Sequence, residues 1–401
     1  MTQIKGLRGQ EKENQSVKSA SSFKSAILTS DAVKLGDMCE LISGQHIEAD
    51  NYNTDSIGTP YLTGPSDFGL LHPIITRWTE YPKVLAKKND ILITVKGSGT
   101  GKLNILDNEL TCISRQLMAI RVKSNVNNLY LYYYLDNIYA HFQNESEGSA
   151  IPGIGREDIL KIPIPLPPIT IQKEIADYLQ FRLTCVEEAK QAVKAELEAV
   201  KSLKQAYLRE VFSSEQSKDW GKVKLGDMCE NLDSKRVPIT SNVRNKGNIP
   251  YYGASGVVDY VEDYIFDEDL LLVSEDGANL ISRTQPIAFS ISGKTWINNH
   301  AHVLKFESRI TQQFVEFYIN YADINIFVSG SAQPKLNQEN LNKIPIPLPP
   351  LAVQKEIADY LQTKFTTVDT LVQALTEKKK AIDDLPQAFL REVFGNTDGA
   401  G

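Results

Sequence analysis

The chain has 401 residues, of which 42% are hydrophobic and 23% are charged, the composition of a globular protein large enough for more than one core. It contains no apolar run long enough for a membrane span and no apolar stretch near its start, so we predict a cytoplasmic protein without a signal peptide. Its four cysteines form no CxxC pair, which disfavours zinc and dithiol motifs. The net charge of −7 excludes a uniformly basic surface, although DNA responds to the local field rather than to the sum.

Two groups of sequence segments occur twice. VKLGDMCE stands at residues 33–40 and 223–230, an offset of 190 residues. KIPIPLPP at 161–168 and QKEIADYLQ at 172–180 recur 182 residues later, as AYLREVF at 206–212 does in the form AFLREVF. Between these segments the two halves share little beyond GSA at residues 148 and 330. The pattern predicts two units whose shared parts meet one kind of partner and whose interiors meet different ones; a duplication that only enlarges a scaffold is the alternative.

The repeat divides the chain into seven regions. They are a polar tail (1–32), a first domain (33–168), a long helix (169–212), a linker (213–222), a second domain (223–350), a second long helix (351–394) and a tail (395–401). In both domains short apolar runs alternate with turns before a late helix, which predicts mixed α/β domains. The tyrosines within residues 130–134 have helical spacing, which favours packing in a core over stacking on bases.

Both long helices carry heptad repeats. Apolar residues recur every seven positions in each, at Leu179, Val186, Val193, Val200 and Tyr207, and at Leu361, Val368, Leu375, Ile382 and Phe389. Such a stripe needs a partner, and chain continuity makes the other helix that partner in an antiparallel coiled coil. The alternative is that each helix packs only on its own domain. Pro386 is expected to kink or fray the second helix. The predicted fold is therefore α+β, with two mixed α/β domains, two long antiparallel helices and a pseudo-twofold internal repeat.

No catalytic or metal-binding pattern is complete. KGSGTGK at residues 96–102 lacks the first glycine of a phosphate loop and has Leu103 after the last lysine. His300 and His302 should face opposite sides of a strand, and the adjacent acids Glu275 and Asp276 should diverge in the same way. We predict a protein that binds its target without catalysing a reaction, and that holds neither a metal nor a cofactor.

In this order, the segments resemble those of the specificity subunits of type I restriction-modification systems over residues 33–394. The resemblance rests on VKLGDMCE opening each half, on GSAIPGI and GSAQPKLN, and on KIPIPLPP followed by QKEIADYLQ. In addition, TVKGSG with SRQLMAIRV in the first half and SEDGANL with NNHAHVLKF in the second resemble two common forms of the target recognition domain.

The resemblance implies a function and its partners. Each variable domain would read one half of an asymmetric, interrupted site in double-stranded DNA, and the helices would set the spacing. If the helices hold the domains rigidly, the half-sites would lie about one DNA turn, ~34 Å, apart. The helices would also dock two modification (methyltransferase) subunits, which restriction (translocase and endonuclease) subunits join. S-adenosylmethionine, ATP and Mg²⁺ are expected on those partner subunits.

Loops rich in glycine, small polar residues and basic residues suit contact with DNA phosphates and with the edges of nucleobases. In the first half the candidates are Lys96, Ser98, Thr100, Lys102, Arg115, Gln116, Ser149 and Arg156. In the second half they are Lys235, Arg236, Arg244 and Lys246 for phosphates, Asn279, Arg283, Asn298, Asn299 and His300 nearer the bases, and Ser331, Gln333 and Lys335. Each could equally be a solvated loop residue. The competing function is a two-headed coiled-coil adaptor that binds proteins rather than DNA, which the acidic net charge favours.

Overall fold

A computed structural model describes residues 19–97, 99–123, 125–138, 153–330 and 332–395. The chain divides into two compact units, residues 1–192 with 379–401 (unit 1) and residues 193–378 (unit 2). Among the described residues, no helix is both long and apolar enough to cross a membrane.

The described part of unit 1 contains ten short strands, the start of the first long helix and the end of the second. Its strands are Ala32–Lys34 (β1), Cys39–Ser43 (β2), Thr59–Leu62 (β3), Trp78–Thr79 (β4), Leu85–Lys87 (β5), Ile91–Thr94 (β6), Leu103–Ile105 (β7), Leu110–Ile113 (β8), Leu117–Val122 (β9) and Pro163–Pro165 (β10). Its shorter helices are Ala20–Leu28 (α1), Leu35–Met38 (α2), Asn128–Asn137 (α3) and Arg156–Lys161 (α4), with 3-10 turns at Ala49–Asn51 and Pro65–Asp67. The first long helix, Ile169–Phe212 (α5), begins in this unit.

Unit 2 contains a similar set of secondary-structure elements. Its strands are Lys222–Lys224 (β11), Glu230–Asn231 (β12), Lys246–Gly253 (β13), Gly256–Val261 (β14), Phe266–Asp267 (β15), Leu270–Ser274 (β16), Ala288–Ile291 (β17), Lys294–Ile297 (β18), Ala301–Lys305 (β19) and Pro345–Pro347 (β20). Its shorter helices are Glu215–Lys218 (α6), Asn279–Ser282 (α7), Arg309–Tyr321 (α8) and Gln338–Asn342 (α9), with 3-10 turns at Leu225–Asp227, Asp233–Lys235, Ser241–Val243 and Asn325–Phe327. The second long helix is Leu351–Phe394 (α10), which runs unbroken through Pro386 and ends in unit 1.

The two units have the same sheet topology even where their sequences do not match. The first sheet has the strand order β2-β9-β6-β7 in unit 1 and β12-β19-β16-β17 in unit 2. The second sheet has the order β4-β3-β8-β5 and β14-β13-β18-β15, and in each its two central strands run parallel. A two-stranded pair joins the shared segments, with Val33 opposite Ile164 and Val223 opposite Ile346. These sheets bear out the predicted mixed α/β domains.

The shared segments also connect each domain to its long helix by a buried hydrogen bond. The Gln172 side chain donates to the carbonyl of Pro167 over 2.8 Å, and that of Gln354 donates to Pro349 over 2.8 Å. Both glutamines are almost fully buried. Since the prolines cannot continue a helix, these bonds fix where the helix begins, which gives the identical QKEIADYLQ segments a structural role.

The long helices pair antiparallel within each unit. In unit 1 the Arg182 guanidinium lies 4.1 Å from the centre of the Phe389 ring, and Lys190 Nζ is 3.5 Å from Asp383. In unit 2 Glu196 is 3.3 Å from Lys378 and Lys204 is 2.6 Å from Asp369. Residue numbers rise along one helix as they fall along the other, which confirms the antiparallel prediction. Leu179, Val186, Val193, Leu361 and Val368 of the heptad rows are buried.

Helix α1 lies within the region expected to be a polar tail. Ala20, Phe23 and Ile27 are buried in the main core of unit 1, and Phe23 packs on Tyr178 with ring centres 5.5 Å apart. The same core contains Tyr130, so the tyrosine cluster packs internally as predicted.

Candidate nucleic-acid interface

One end of the first sheet of unit 1 gathers three chain segments. Thr94 pairs with Leu117, and Ser43 pairs with Met118, so the ends of β2 and β6 and the start of β9 lie side by side. The hairpin of residues 96–102, the turn of residues 114–116 and the segment of residues 43–46 therefore meet at this end, which we call edge 1.

Edge 1 presents basic side chains that no described carboxylate neutralises. Lys96, Lys102 and Arg115 are exposed, and none forms an ion pair within the part of the chain that the structure describes. Gln116 is exposed beside them, and a Cβ added to Gly64 would lie 2.2 Å from its Oε1 atom. Gly64 therefore leaves the space that the Gln116 amide occupies.

The remaining candidates of unit 1 have other positions. Thr100 is buried, and its hydroxyl donates to the carbonyl of Gly97 over 2.6 Å, which stabilises the turn of the hairpin. Arg156 is exposed and reaches edge 1, where its guanidinium donates to Ser43 Oγ over 3.3 Å. Ser98 and Ser149 lie outside the described residues.

The corresponding end of unit 2 is edge 2, formed by residues 233–236, 275–287, 298–300 and 333–335. The backbone N–H of Glu275 donates to His300 O over 2.8 Å, as that of Val95 donates to Gln116 O over 2.8 Å in unit 1. Leu336 N–H donates to Glu275 O as Ile154 N–H donates to Val95 O. These bonds make Glu275 the structural counterpart of Val95, and the strand registers make Asp233 the counterpart of Ser43 and His302 that of Met118.

Edge 2 is backed by a buried ionic network where edge 1 has uncharged side chains. His302 Nδ1 lies 2.5 Å from Asp233 Oδ2, and its Nε2 lies 2.7 Å from the carbonyl oxygen of Leu336. Arg236 Nη1 donates to Glu275 Oε2 over 2.7 Å and to the carbonyl of Ala301 over 2.7 Å. The network links two segments of edge 2, residues 233–236 and the start of 275–287, to the start of β19.

The pKa of the Asp233 carboxyl reflects this surrounding. Burial by itself raises that pKa, but the hydrogen bond and charge of His302, the N–H of Val303 and the charge of Arg236 together hold it below its usual value. Asp233 therefore stays ionised inside the network.

A metal could in principle use this cluster, since ligand atoms of Asp233, Glu275 and His302 lie within 4.8 Å of one another. However, Glu275 already faces Arg236 at 2.7 Å and Lys335 at 3.2 Å. A divalent ion would have to displace these cations, so the chemistry of the cluster fits an ion-pair network better than a metal site.

The exposed candidates of edge 2 cluster on its rim. His300 is exposed, and its Nδ1 lies 2.9 Å from Asp276, while the adjacent Asn299 is also exposed. Asn298 is buried, and its Oδ1 accepts the backbone N–H of His300 over 2.8 Å, which holds this turn. Lys335 is exposed and pairs with Glu275 at 3.2 Å.

Gln333 is exposed next to this rim, and Ser331 lies outside the described residues. His302 is almost fully buried whereas His300 is exposed, which confirms that the two histidines diverge. Glu275 and Asp276 diverge too, one toward Arg236 and the other toward His300.

Asn279 and Arg283 use their side chains internally. Asn279 Oδ1 accepts the N–H of Gln285 over 3.0 Å and shapes the loop between β16 and β17. The Arg283 guanidinium donates to the carbonyls of Ile319 and Ala322 over 3.1 and 3.0 Å, at the C-terminal end of α8. We therefore assign these two side chains to the support of edge 2 and leave them out of the proposed DNA contacts.

The basic stretch of residues 235–246 is not brought together by the fold. Lys235 is exposed next to Arg236 at edge 2. Arg244 instead pairs with Asp259 at 3.0 Å and lies over the Tyr251 ring, and Lys246 is exposed at the start of β13. Since β13 runs from Lys246 to Gly253, and Gly253 lies beside Asn298, Lys246 is roughly 20 Å from edge 2 along the strand.

The sequence interpretation missed a loop of the second sheet at each edge. In unit 1 the hydroxyl of Ser114 donates to the carbonyl of Thr63, which places residues 63–66 beside edge 1. In unit 2 the hydroxyl of Ser274 donates to Ala254 O over 2.5 Å, which places the β13–β14 turn beside edge 2. Ser66 and Ser255 are the exposed side chains of these loops.

Two equivalent tyrosines precede residues 63–66 and the β13–β14 turn, and their spacing is visible in the sequence. Tyr61 and Tyr251, 190 residues apart, are buried, and their hydroxyl oxygens accept the backbone N–H groups of Ile47 and Ile239 over 3.2 and 3.0 Å. The dipeptide Pro-Tyr precedes both loops at the same offset as VKLGDMCE, so aligning the interiors at this offset would have identified them.

Comparison with known proteins identifies this arrangement. The profile of the family described as "Type I restriction modification DNA specificity domain" matches residues 29–199 and 217–381. The chain belongs to the type I restriction-modification DNA specificity family. A candidate type I restriction enzyme specificity subunit of Haemophilus influenzae is 36% identical over 137 residues, which cover 34% of this chain and only 35% of that protein.

Two further members of the comparison span more of the chain. The type I restriction enzyme MjaVIII specificity subunit of Methanocaldococcus jannaschii is 22% identical over 75% of this chain and 77% of its own length. A chain solved in a study of the assembly and conformational transition of the type I R-M system superposes with a TM-score of 0.72 at 18% identity, over 90% of this chain and 97% of that one. At this identity the structural likeness shows a common fold.

Proposed function

We propose that this type I specificity-family chain reads an interrupted DNA site, with edge 1 contacting one half-site and edge 2 the other. The observation that carries the proposal is that one backbone arrangement is built twice and ends in two edges with unlike side chains. Exposed cations at edge 1, namely Lys96, Lys102 and Arg115, suit phosphates and guanine. Because the two edges differ, they would select different base sequences, which predicts an asymmetric target.

At edge 2 the network supports polar side chains that suit base edges. The exposed amide of Asn299 matches the donor and acceptor pattern of adenine. Lys235 and Lys335 supply positive charge at the rim. Asp276 near His300 lowers the net charge here, so we propose that edge 2 contacts fewer phosphates than edge 1.

The partners are part of the same proposal. Modification subunits would dock on the helix pair, restriction subunits would join them, and the helices would set the spacer between the half-sites. Methylation, ATP hydrolysis and cleavage would take place on those partners, which would hold S-adenosylmethionine, ATP and Mg²⁺, while this chain would contribute no catalytic group. Such a complex acts on cellular DNA, which supports a cytoplasmic location.

A salt titration of the complex with its modification subunits separates this function from that of a protein adaptor. Binding to a target duplex should weaken steeply with salt because cations at the edges release counterions from phosphates. Sequencing of methylated positions should return two short motifs separated by unspecified bases. A single contiguous motif, or binding that does not respond to salt, would support the adaptor or another function.

A further inference from the structure

Unit 1 contains a groove away from edge 1, between α3 and the two long helices. It has a volume of about 190 Å³, and most of its walls are apolar. Leu71, Tyr132, Tyr133, Leu183, Val186 and Pro386 are its apolar lining, and we call it the Asp136 groove after the acid in its wall. Leu70 at its rim exposes 74% of its surface, which is unusual for so large an apolar side chain.

Among the described residues, none neutralises Asp136. Its carboxylate has no hydrogen bond and no ion pair with any described residue. Burial raises the pKa of Asp136 to about 6. A half-buried carboxylate without a partner is costly, and such groups normally find one.

Unit 2 has an uncharged side chain at the position that corresponds to Asp136. Tyr130 and Tyr134 contact Phe394 in unit 1 as Phe314 and Tyr318 contact Phe212 in unit 2, which makes Asn320 the counterpart of Asp136. Asn320 is fully used, because its Oδ1 accepts the N–H groups of Ile287 and Ala288 over 2.9 and 3.1 Å and its Nδ2 donates to Ala288 O. In unit 2 a neutral amide thus holds the neighbouring strand by hydrogen bonds. The carboxylate of Asp136 makes no such bonds to described residues, so its presence needs a different explanation.

The charges around the groove favour a cation as its occupant. Glu187 and Lys190 also line the groove, and Lys190 Nζ lies 3.5 Å from Asp383, which Lys379 contacts at 2.6 Å. Burial raises the pKa of both tyrosines, that of Tyr133 to about 12, so they stay neutral and can only donate or accept hydrogen bonds. DNA is disfavoured here because its phosphates would meet the carboxylates of Asp136 and Glu187.

We propose that the Asp136 groove receives a lysine or arginine side chain of a modification subunit, whose aliphatic stem packs on the apolar walls while its charged end pairs with Asp136. This inference rests on the proposed function, since it names the protein that docks. Lysine and arginine suit the site because they carry an apolar stem as well as a charge. In unit 2 the equivalent cavity is lined by Lys201, Lys204 and Arg283 instead, so the two copies of the partner would be held differently.

The test compares Asp136→Asn with the wild-type chain in binding to purified modification subunits, at pH 7.5 and at pH 5.0. At pH 7.5 the variant should bind roughly 30-fold more weakly, because a buried charge pair loses one member. At pH 5.0 the carboxyl of the free wild-type chain is largely protonated, so the ratio of the two affinities should fall to about 4. Asp55→Asn is the matched control, since it removes the charge of an exposed acid in the loop between the Ala49–Asn51 turn and β3, outside the helix pair, and should bind like the wild type.

Misfolding cannot produce this result, because Asp136→Asn should leave the free chain at least as heat-stable as the wild type. An affinity ratio near one at pH 7.5, or a ratio that does not change with pH, would overturn the inference while DNA recognition by the edges stands. If the wild-type chain did not bind modification subunits at all, the proposed docking and this inference would both fail.

Discussion

Edge 1 and edge 2 show how one backbone supports two chemistries. Behind edge 1 stand Ser43, Val95 and Met118, and its cations project into solvent without partners among the described residues. Behind edge 2 the same positions hold Asp233, Glu275 and His302, whose charges are compensated internally. The main-chain bonds are the same in both, so the side chains could diverge without loss of the fold. Each unit is therefore the natural control for the other.

The largest expected effect comes from breaking the network of edge 2. Asp233→Ala should lower the free energy of unfolding by about 3–5 kcal/mol, because it leaves His302 and Arg236 buried without their carboxylate. Urea unfolding of the isolated chain measures this loss.

Replacing the network with the residues of edge 1 sharpens the comparison. The triple variant Asp233→Ser, Glu275→Val, His302→Met should be more stable than Asp233→Ala, because it removes charges together with their partners. A triple variant less stable than the single one would mean that the two edges are not built on equivalent backbones.

Removing a cation from edge 1 should change recognition without changing stability. Arg115→Ala should cost about 1–3 kcal/mol in DNA binding if Arg115 contacts a base edge, and should relax only one half of the target. Competition binding with duplexes altered in either half measures this. Equal losses for both halves would contradict the division of recognition between the edges.

The pair Asp136 and Asn320 gives a pH-dependent prediction for the free chain. Folding raises the pKa of Asp136 from 3.8 to about 6, so the ionised form is less favourable in the folded state. The resulting loss in the free energy of unfolding is absent below about pH 4, grows as the pH rises and is complete above about pH 6. Asp136→Asn should therefore stabilise the chain by up to about 2 kcal/mol at pH 7.5 and have no effect near pH 4. Thermal unfolding at the two pH values decides this, and equal stabilisation at both would refute it.

The smallest effect concerns the matched tyrosines. Tyr61→Phe leaves the buried N–H group of Ile47 without its acceptor, Tyr251→Phe does the same to the partly buried N–H group of Ile239, and each should cost about 1–2 kcal/mol. Hydrogen exchange should show faster exchange at Ile47 in the first variant and at Ile239 in the second. Similar protection in wild type and variants would show that these bonds do not hold the loops.

Much of the architecture followed from the sequence because the shared segments are nearly identical. Heptads and prolines predicted two long helices, and the structure has them at Ile169–Phe212 and Leu351–Phe394. The matching topology of the interiors was not visible, since it is fixed by main-chain bonds such as that from Val95 to Gln116, which leave no residue signature.

The candidate site was less predictable because contacts between distant segments leave no pattern in the sequence. A basic stretch in the sequence does not show which guanidinium groups the fold uses internally. Arg236 and Arg283 are engaged by carbonyls from distant segments, and nothing near them in the chain indicates it. Lys96 and Arg115 are exposed and form no ion pair with any residue that the structure describes, which could not be read from the chain around them.

The most direct test of the account is to map methylated positions for the complex that contains this chain and for the one that contains Arg115→Ala with Gln116→Ala. We expect two short motifs with a fixed gap for the wild type, and for the variant a change in one motif with the other motif and the gap preserved. Changes in both motifs, or a single uninterrupted motif, would contradict the claim that each edge reads its own half-site.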